Sequence, residues 1–221
     1  MNGFDRLAPY YGGMEAVLAG QKLARCRNAL WPQIPPPRNV LLAGEGHGKF
    51  LVEIVRRHPE ARVTYLDASP GMHEAARNRL QAEKLSGTRV AFVEADILAW
   101  RTEDRYDLIA TQFFLDCFPP PQLARAVASL AGALGPGGHW LITDFQIPAR
   151  GIFRVRAQII HWMMYRFFRM AVGLPARALV PPDPFLTAGG LVRRHHREFE
   201  WGLLYAALWQ RAHPGGGPVA P

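Results

Sequence analysis

The chain has 221 residues, 49% of them hydrophobic, enough for the core of one ordinary domain. Its 26 Lys and Arg outnumber 18 Asp and Glu to give +8, and only Lys22, Lys49 and Lys84 are lysines; this arginine excess suits nucleic acid, an anionic membrane surface or an anionic substrate, and equally a solvated face with an arginine coding bias. Cys26 and Cys117 form no Cys-x-x-Cys pair and no histidine stands at metal-ligand spacing, so neither a zinc site nor a disulfide framework is indicated and a reducing cytoplasm fits best.

In chain order, the opening MNGFDRLAPYYGG lacks the charged region and apolar run of a secretory signal, so a cytoplasmic protein is expected. Residues 1–30 read as one or two helices with Tyr10, Tyr11, Met14, Val17, Leu18 and Leu23 as apolar positions, stopped by the run Pro32 to Pro37, so that 1–38 forms a helical cap. From Asn39 short apolar runs alternate with amphipathic stretches, the pattern of βαβ units and a mostly parallel sheet. Strands are expected at about 39–43, 62–67, 89–94, 106–111 and 138–144, and helices at about 47–58, 70–84 and 120–134. The first three strands are continuous apolar runs, which places them in the middle of the sheet. A long helix follows at about 152–172, then a break at Pro181, Pro182 and Pro184, a short helix, and two runs, 192–199 and 203–210, that read as a hairpin turned near Glu200-Trp201-Gly202. The main domain is thus 39–212, with a lid at about 150–190, and the tail 213–221 (HPGGGPVAP) has nothing to bury and is expected to be disordered.

Val40-Leu41-Leu42-Ala43 runs directly into Gly44-Glu45-Gly46-His47-Gly48-Lys49-Phe50. Glycines at such a turn let the backbone approach a ligand without an intervening Cβ, and the helix that follows offers free N–H groups. A dinucleotide fingerprint needs glycine at the sixth position of G-x-G-x-x-G; that position is Lys49, so no pyrophosphate site is indicated. Val63-Thr64-Tyr65-Leu66-Asp67 ends a strand in an acid 23 residues after Gly44. A carboxylate there can accept both hydroxyls of a ribose; alternatively Asp67 caps the helix starting near Pro70, a task open to Ser69 as well.

Over roughly residues 5–211 the chain resembles the class I S-adenosylmethionine-dependent methyltransferases. Gly44, Gly46 and Gly48 resemble the family's glycine loop under the methionine part of the cofactor, and Asp67 its ribose-binding acid. Glu94-Ala95-Asp96-Ile97 resembles the segment after the third strand, whose acid, here Asp96, meets the adenine amino group. Tyr106 to Thr111 resembles the fourth strand, and Leu134-Gly135-Pro136-Gly137-Gly138 the turn before the fifth. The resemblance implies a doubly wound, Rossmann-like α/β sheet of seven strands with the last antiparallel, S-adenosylmethionine as cofactor, and cofactor contacts along Gly44, Glu45, Gly46, Gly48, Asp67, Ala68, Met72, Asp96, Ile97 and Thr111. One position departs from the family: the acid usually found two residues before the first glycine is Leu42, while an unusual acid, Glu45, sits inside the loop. Either Glu45 takes over the polar role toward the cofactor's amino group, or cofactor binding is weakened, or Glu45 faces solvent.

The family chemistry is in-line attack by a nucleophile on a sulfonium methyl, for which positioning supplies most of the catalysis and the aromatic faces of Tyr10, Tyr11, Phe113 or Phe114 can accommodate the positive charge. A base is needed only where the acceptor must lose a proton. Asp116 and Asp144, after the fourth and fifth strands, are the candidates; the alternative for Asp116 is a cap for the helix beginning near Pro120. His161 could reach a substrate or be a plain surface residue.

After the fourth strand the chain reads Thr111-Gln112-Phe113-Phe114-Leu115-Asp116, unlike the Asn/Asp-Pro-Pro-aromatic run of amino-methylating DNA enzymes, and no lysine-rich patch appears. A nucleic-acid partner is therefore not indicated. On the long helix Arg154, Gln158, His161, Tyr165 and Arg169 line one face and apolar residues cover most of the rest, an arc too wide for an ordinary surface helix. Arginines exclude a membrane span. Such a lid suits a small-molecule or lipid-like acceptor, with Arg166, in the apolar arc, pairing with an internal acid or with an anion on the acceptor. It also suits peripheral contact with a membrane surface, or packing on the sheet or a second subunit. An RNA-modifying enzyme and a non-catalytic binding protein that retains the fold are the other classes.

Overall fold

A computed structural model describes residues 21–211; Tyr10, Tyr11 and the tail 213–221 lie outside the described residues. Within the expected cap, residues 21–27 are helical and Trp31–Gln33 form one 3-10 turn. Seven strands follow: β1 (Asn39–Ala43), β2 (Arg62–Asp67), β3 (Val90–Glu94), β4 (Tyr106–Gln112), β5 (Leu134–Phe145), β6 (Leu191–Phe199) and β7 (Leu204–Arg211). Between them lie α1 (Lys49–Arg57), α2 (Pro70–Ala82), α3 (Pro120–Ala133), α4 (Ile152–Val172) and the short α5 (Asp183–Ala188). The sheet order is β3-β2-β1-β4-β5-β7-β6, with β7 antiparallel to both of its neighbours.

Alternation along β1 explains the layering. Successive side chains of a strand point to opposite faces, so Val40 and Leu42 join Phe50, Ile54 and Ala76 on the α1–α2 face. Leu41 and Ala43 join Leu123, Val127 and Leu130 on the α3 face. Both faces are covered, as the apolar run of β1 requires. Local chemistry sets the element ends: Ser69 caps α2 by accepting from the Met72 N–H at 3.3 Å, with Pro70 in the first turn. Glu200, Trp201 and Gly202 all take positive φ, which turns the β6–β7 hairpin where expected. β5 starts at Leu134 rather than near 138, taking the glycine turn into the strand.

Two expectations need correction. β3 is an edge strand, paired only with β2, and Ala91 and Glu94 are exposed; an apolar run of five residues does not distinguish a central strand from an edge packed on one side. On α4, His161 is buried and not at the surface. The polar stripe of the helix faces inward at its centre, where Ala157, His161 and Tyr165 are buried, and the apolar arc faces outward. Tyr165 gains by burial because its hydroxyl donates to the Asp116 carbonyl at 2.9 Å, and His161 sets its ring edge-on to Phe145 at 5.6 Å.

Candidate functional site

The loop after β1 is held from several sides. Gly44 N–H donates to the Leu66 carbonyl at 2.8 Å, the Tyr65 hydroxyl donates to the Gly46 carbonyl, and Arg79 Nε donates to the His47 carbonyl at 2.8 Å. The three glycines of the loop all take positive φ but do different work. A Cβ at Gly44 would run into the Phe114 ring, and one at Gly48 would stand 2.8 Å from the Ala76 backbone, so these two serve close packing. A Cβ at Gly46 would meet only Met72 Sδ at 3.8 Å. Gly46 alone faces open space, and that space is a cavity.

The cavity holds about 420 Å³. Of the cofactor contacts expected from sequence it brings together Gly44, Glu45, Gly46, Asp67, Ala68, Met72, Asp96 and Ile97; Phe113 and Phe114 line it as well. Glu45 does not face solvent. It is 5% exposed; one carboxylate oxygen accepts from the Phe50 N–H at 2.7 Å at the start of α1, and the other has no hydrogen-bond partner among the described residues. Burial raises its pKa to about 7, against the pull of the Phe50 N–H and of Arg27. Asp67, at the end of β2, accepts from the Ser69 N–H at 2.9 Å, and burial pushes its carboxyl up to about 6. Asp96 folds back to accept from the Leu98 N–H at 2.9 Å.

The rest of the lining is Phe113, Phe114, Cys117, Phe118, Val172, Leu174 and Pro175, with Arg27, Gln112 and Gln122 as polar members; Phe114 packs against Gly44. Phe113 sits at φ +55°, a left-handed conformation costly for a large side chain. Its N–H donates to the Thr143 carbonyl at 2.7 Å, its ring contacts Phe145, and the Arg27 guanidinium lies over it at 5.1 Å. Gln112 is 3% exposed, and neither atom of its carboxamide has a hydrogen-bond partner among the described residues. A buried amide left unpaired is costly and calls for a partner.

Six expected site residues do not line this cavity. Gly48 packs on Ala76, as above. Thr111 Oγ1 accepts from the Trp140 indole at 3.0 Å, within the core. Asp144 accepts from three backbone N–H groups, those of Leu115, Asp116 and Phe145, at 3.1, 3.2 and 2.8 Å, and so fixes the turn after β4. Asp116 is buried beside it and caps no helix; burial raises both carboxyls, and the Asp116 charge raises Asp144 further. His161 is buried under α4 instead of at the surface. Arg166 is exposed and lies over the Trp162 ring at 6.0 Å, with no acid paired to it among the described residues. Sequence reasoning missed Arg27, Gln112, Cys117 and Gln122, which carry no motif; Gln112 could have been found as the one polar side chain between Thr111 and two phenylalanines.

A family model described as a methyltransferase domain matches residues 40–138. A demethylmenaquinone methyltransferase of Deinococcus radiodurans is 30% identical over 225 residues, covering 93% of this chain and 89% of that protein. The chain belongs to the class I S-adenosylmethionine-dependent methyltransferases. A second relative of this methyltransferase, a trans-aconitate 2-methyltransferase of Methylobacterium radiotolerans, is 38% identical over 102 residues but matches only 46% of this chain and 36% of its own length. Among solved structures, an O-methyltransferase family protein from Burkholderia thailandensis has the same fold with a TM-score of 0.76 at 21% identity, over 95% of this chain. The chain spans 60% of the length of that structure. The seven-stranded sheet with β7 antiparallel is the methyltransferase architecture, and S-adenosylmethionine is the cofactor of the family.

Proposed function

We propose that this methyltransferase acts on a neutral, planar acceptor of the quinol or phenol class, seated at the aromatic end of the cavity. The observation that carries the reading is Gln112: a buried carboxamide with free donor and acceptor, amid phenylalanines and aliphatic side chains, suits a ring oxygen better than a carboxylate. A tricarboxylate would have to seat several negative charges in a cavity whose walls carry, among the described residues, Glu45, Asp67 and Asp96 and a single arginine, Arg27. The full-length similarity to a demethylmenaquinone methyltransferase supports the ring acceptor; the similarity to trans-aconitate methyltransferases covers less than half of the chain.

The residues present suit the cofactor, since the Gly46 backbone opens on the cavity and two carboxylates, the buried Glu45 and the half-buried Asp67, line it at the β1 and β2 ends. In this reading Asp67 takes the ribose hydroxyls and the unpartnered oxygen of Glu45 takes the amino group of the methionine part, in place of the acid absent at Leu42. The bound cofactor supplies an electrophilic methyl group. Phe113 and Phe114 then exclude water and orient the acceptor ring, and Gln112 holds one ring oxygen.

Transfer of labelled methyl from S-adenosylmethionine to a short-chain demethylnaphthoquinol, with trans-aconitate in parallel, tests the reading. The expected result is transfer to the quinol, with the Gln112→Leu variant raising its KM roughly tenfold at unchanged cofactor affinity. Transfer to trans-aconitate alone would overturn it.

A further inference from the structure

Nine of the ten large hydrophobic side chains exposed among the described residues lie on α4 or beside it; Val192 is the exception. Ile152, Ile159, Trp162, Met163, Phe167 and Met170 lie on its outer side, with Trp162 66% and Met170 78% exposed. The hairpin tip extends this surface, because Trp201, 62% exposed, stacks on Phe153 with ring centroids 5.8 Å apart. So concentrated an apolar surface marks an interaction site, not incidental exposure.

Charge indicates the partner. From Phe145 to Pro182 the chain carries six arginines (Arg150, Arg154, Arg156, Arg166, Arg169 and Arg177) and no Lys, Asp or Glu. Two of them lie over the exposed tryptophans, Arg156 over Trp201 at 5.1 Å and Arg166 over Trp162 at 6.0 Å. Arginine and tryptophan interleaved with aliphatic residues is the composition of a helix lying at the boundary between lipid headgroups and acyl chains. No helix among the described residues is long and apolar enough to cross a membrane, so the helix lies along the surface. We infer that the outer face of α4, with Trp201, docks on an anionic lipid bilayer. Its carboxyl end continues into Val172, Gly173, Leu174 and Pro175, which form a wall of the acceptor end of the cavity. Docking therefore sets that end beside the membrane, where an acceptor with a lipid tail could offer its ring while the tail stays in the acyl layer. Only this last step rests on the acceptor proposed above.

Vesicle flotation tests the docking without any acceptor. The intact protein should float with vesicles of phosphatidylglycerol and phosphatidylcholine, and roughly ten- to thirtyfold more weakly with phosphatidylcholine alone or at high salt. The triple variant Ile159→Ser, Trp162→Ser, Met163→Ser should lose flotation while keeping its melting temperature and cofactor affinity, because all three side chains are exposed. Arg166→Gln with Arg169→Gln should lose the preference for anionic vesicles. Absence of flotation, or equal binding to both vesicle types, would overturn the inference. So would a wild type that sediments as a dimer without binding vesicles and becomes a monomer in the triple variant, since the face would then be a contact between two copies.

Discussion

The two ends of the cavity are built on different principles. The cofactor end is made of backbone and short acidic side chains at the carboxyl ends of β1, β2 and β3, with the Gly46 and His47 carbonyls and the Glu45 carboxylate each held by a hydrogen bond from a neighbour. The acceptor end is made of large side chains from the β4 turn and the end of α4, with Phe113 held in a strained conformation. A ligand shared across a family can be met by a fixed backbone cradle, whereas a particular acceptor is met by side chains that change without altering the sheet.

The contrast is broken most severely at Gly46. Gly46→Val puts a branched side chain into the cavity at φ +74°, and calorimetry should show cofactor affinity down roughly 100-fold or more with the fold retained. Gly48→Val should instead unfold the α1–α2 packing against Ala76. Asp67→Ala should weaken cofactor binding by roughly 1–3 kcal/mol through loss of charge-assisted hydrogen bonds; unchanged affinity with the fold intact would remove the ribose assignment.

Glu45→Gln is expected to weaken cofactor binding about tenfold and, without cofactor, to stabilise the protein at alkaline pH. The folded pKa of Glu45, about 7, lies above its ordinary 4.5, so between those values the folded chain retains a proton that the unfolded chain has released. Stability therefore falls as pH rises through that window, by about 3 kcal/mol, and the penalty is complete above it. Thermal melts of wild type and Glu45→Gln should converge near pH 4 and differ most near pH 8. The smallest effect belongs to Thr111→Val, which removes the Trp140 hydrogen bond: about 1 kcal/mol of stability and no change in cofactor affinity.

Legibility in the sequence followed the same division. The strands, the glycine turn and Asp67 could be read because periodicity and spacing are local properties that the sheet converts directly into position; Asp96 came from the family resemblance. Thr111 and Asp144 stand at strand ends where a ligand contact is plausible, yet which way a side chain turns there depends on partners remote in sequence: Trp140 for Thr111, and the Leu115 and Asp116 N–H groups for Asp144. The helix α4 has the span expected from sequence, but which of its sides would face outward was left open by the pattern. A hydrophobic arc indicates that a surface will be covered, not by what, and here the inward positions carry the side chain, Tyr165, whose hydroxyl finds a carbonyl.

The central claim is that the two ends act separately, Glu45 on the cofactor and Gln112 on the acceptor. Steady-state kinetics of Glu45→Gln and Gln112→Leu, varying S-adenosylmethionine and the demethylnaphthoquinol in turn, tests it most directly. The account predicts that Glu45→Gln raises only the KM for S-adenosylmethionine and Gln112→Leu only the KM for the quinol, each roughly tenfold. A rise in both KM values in either variant, or the reverse assignment, would contradict it.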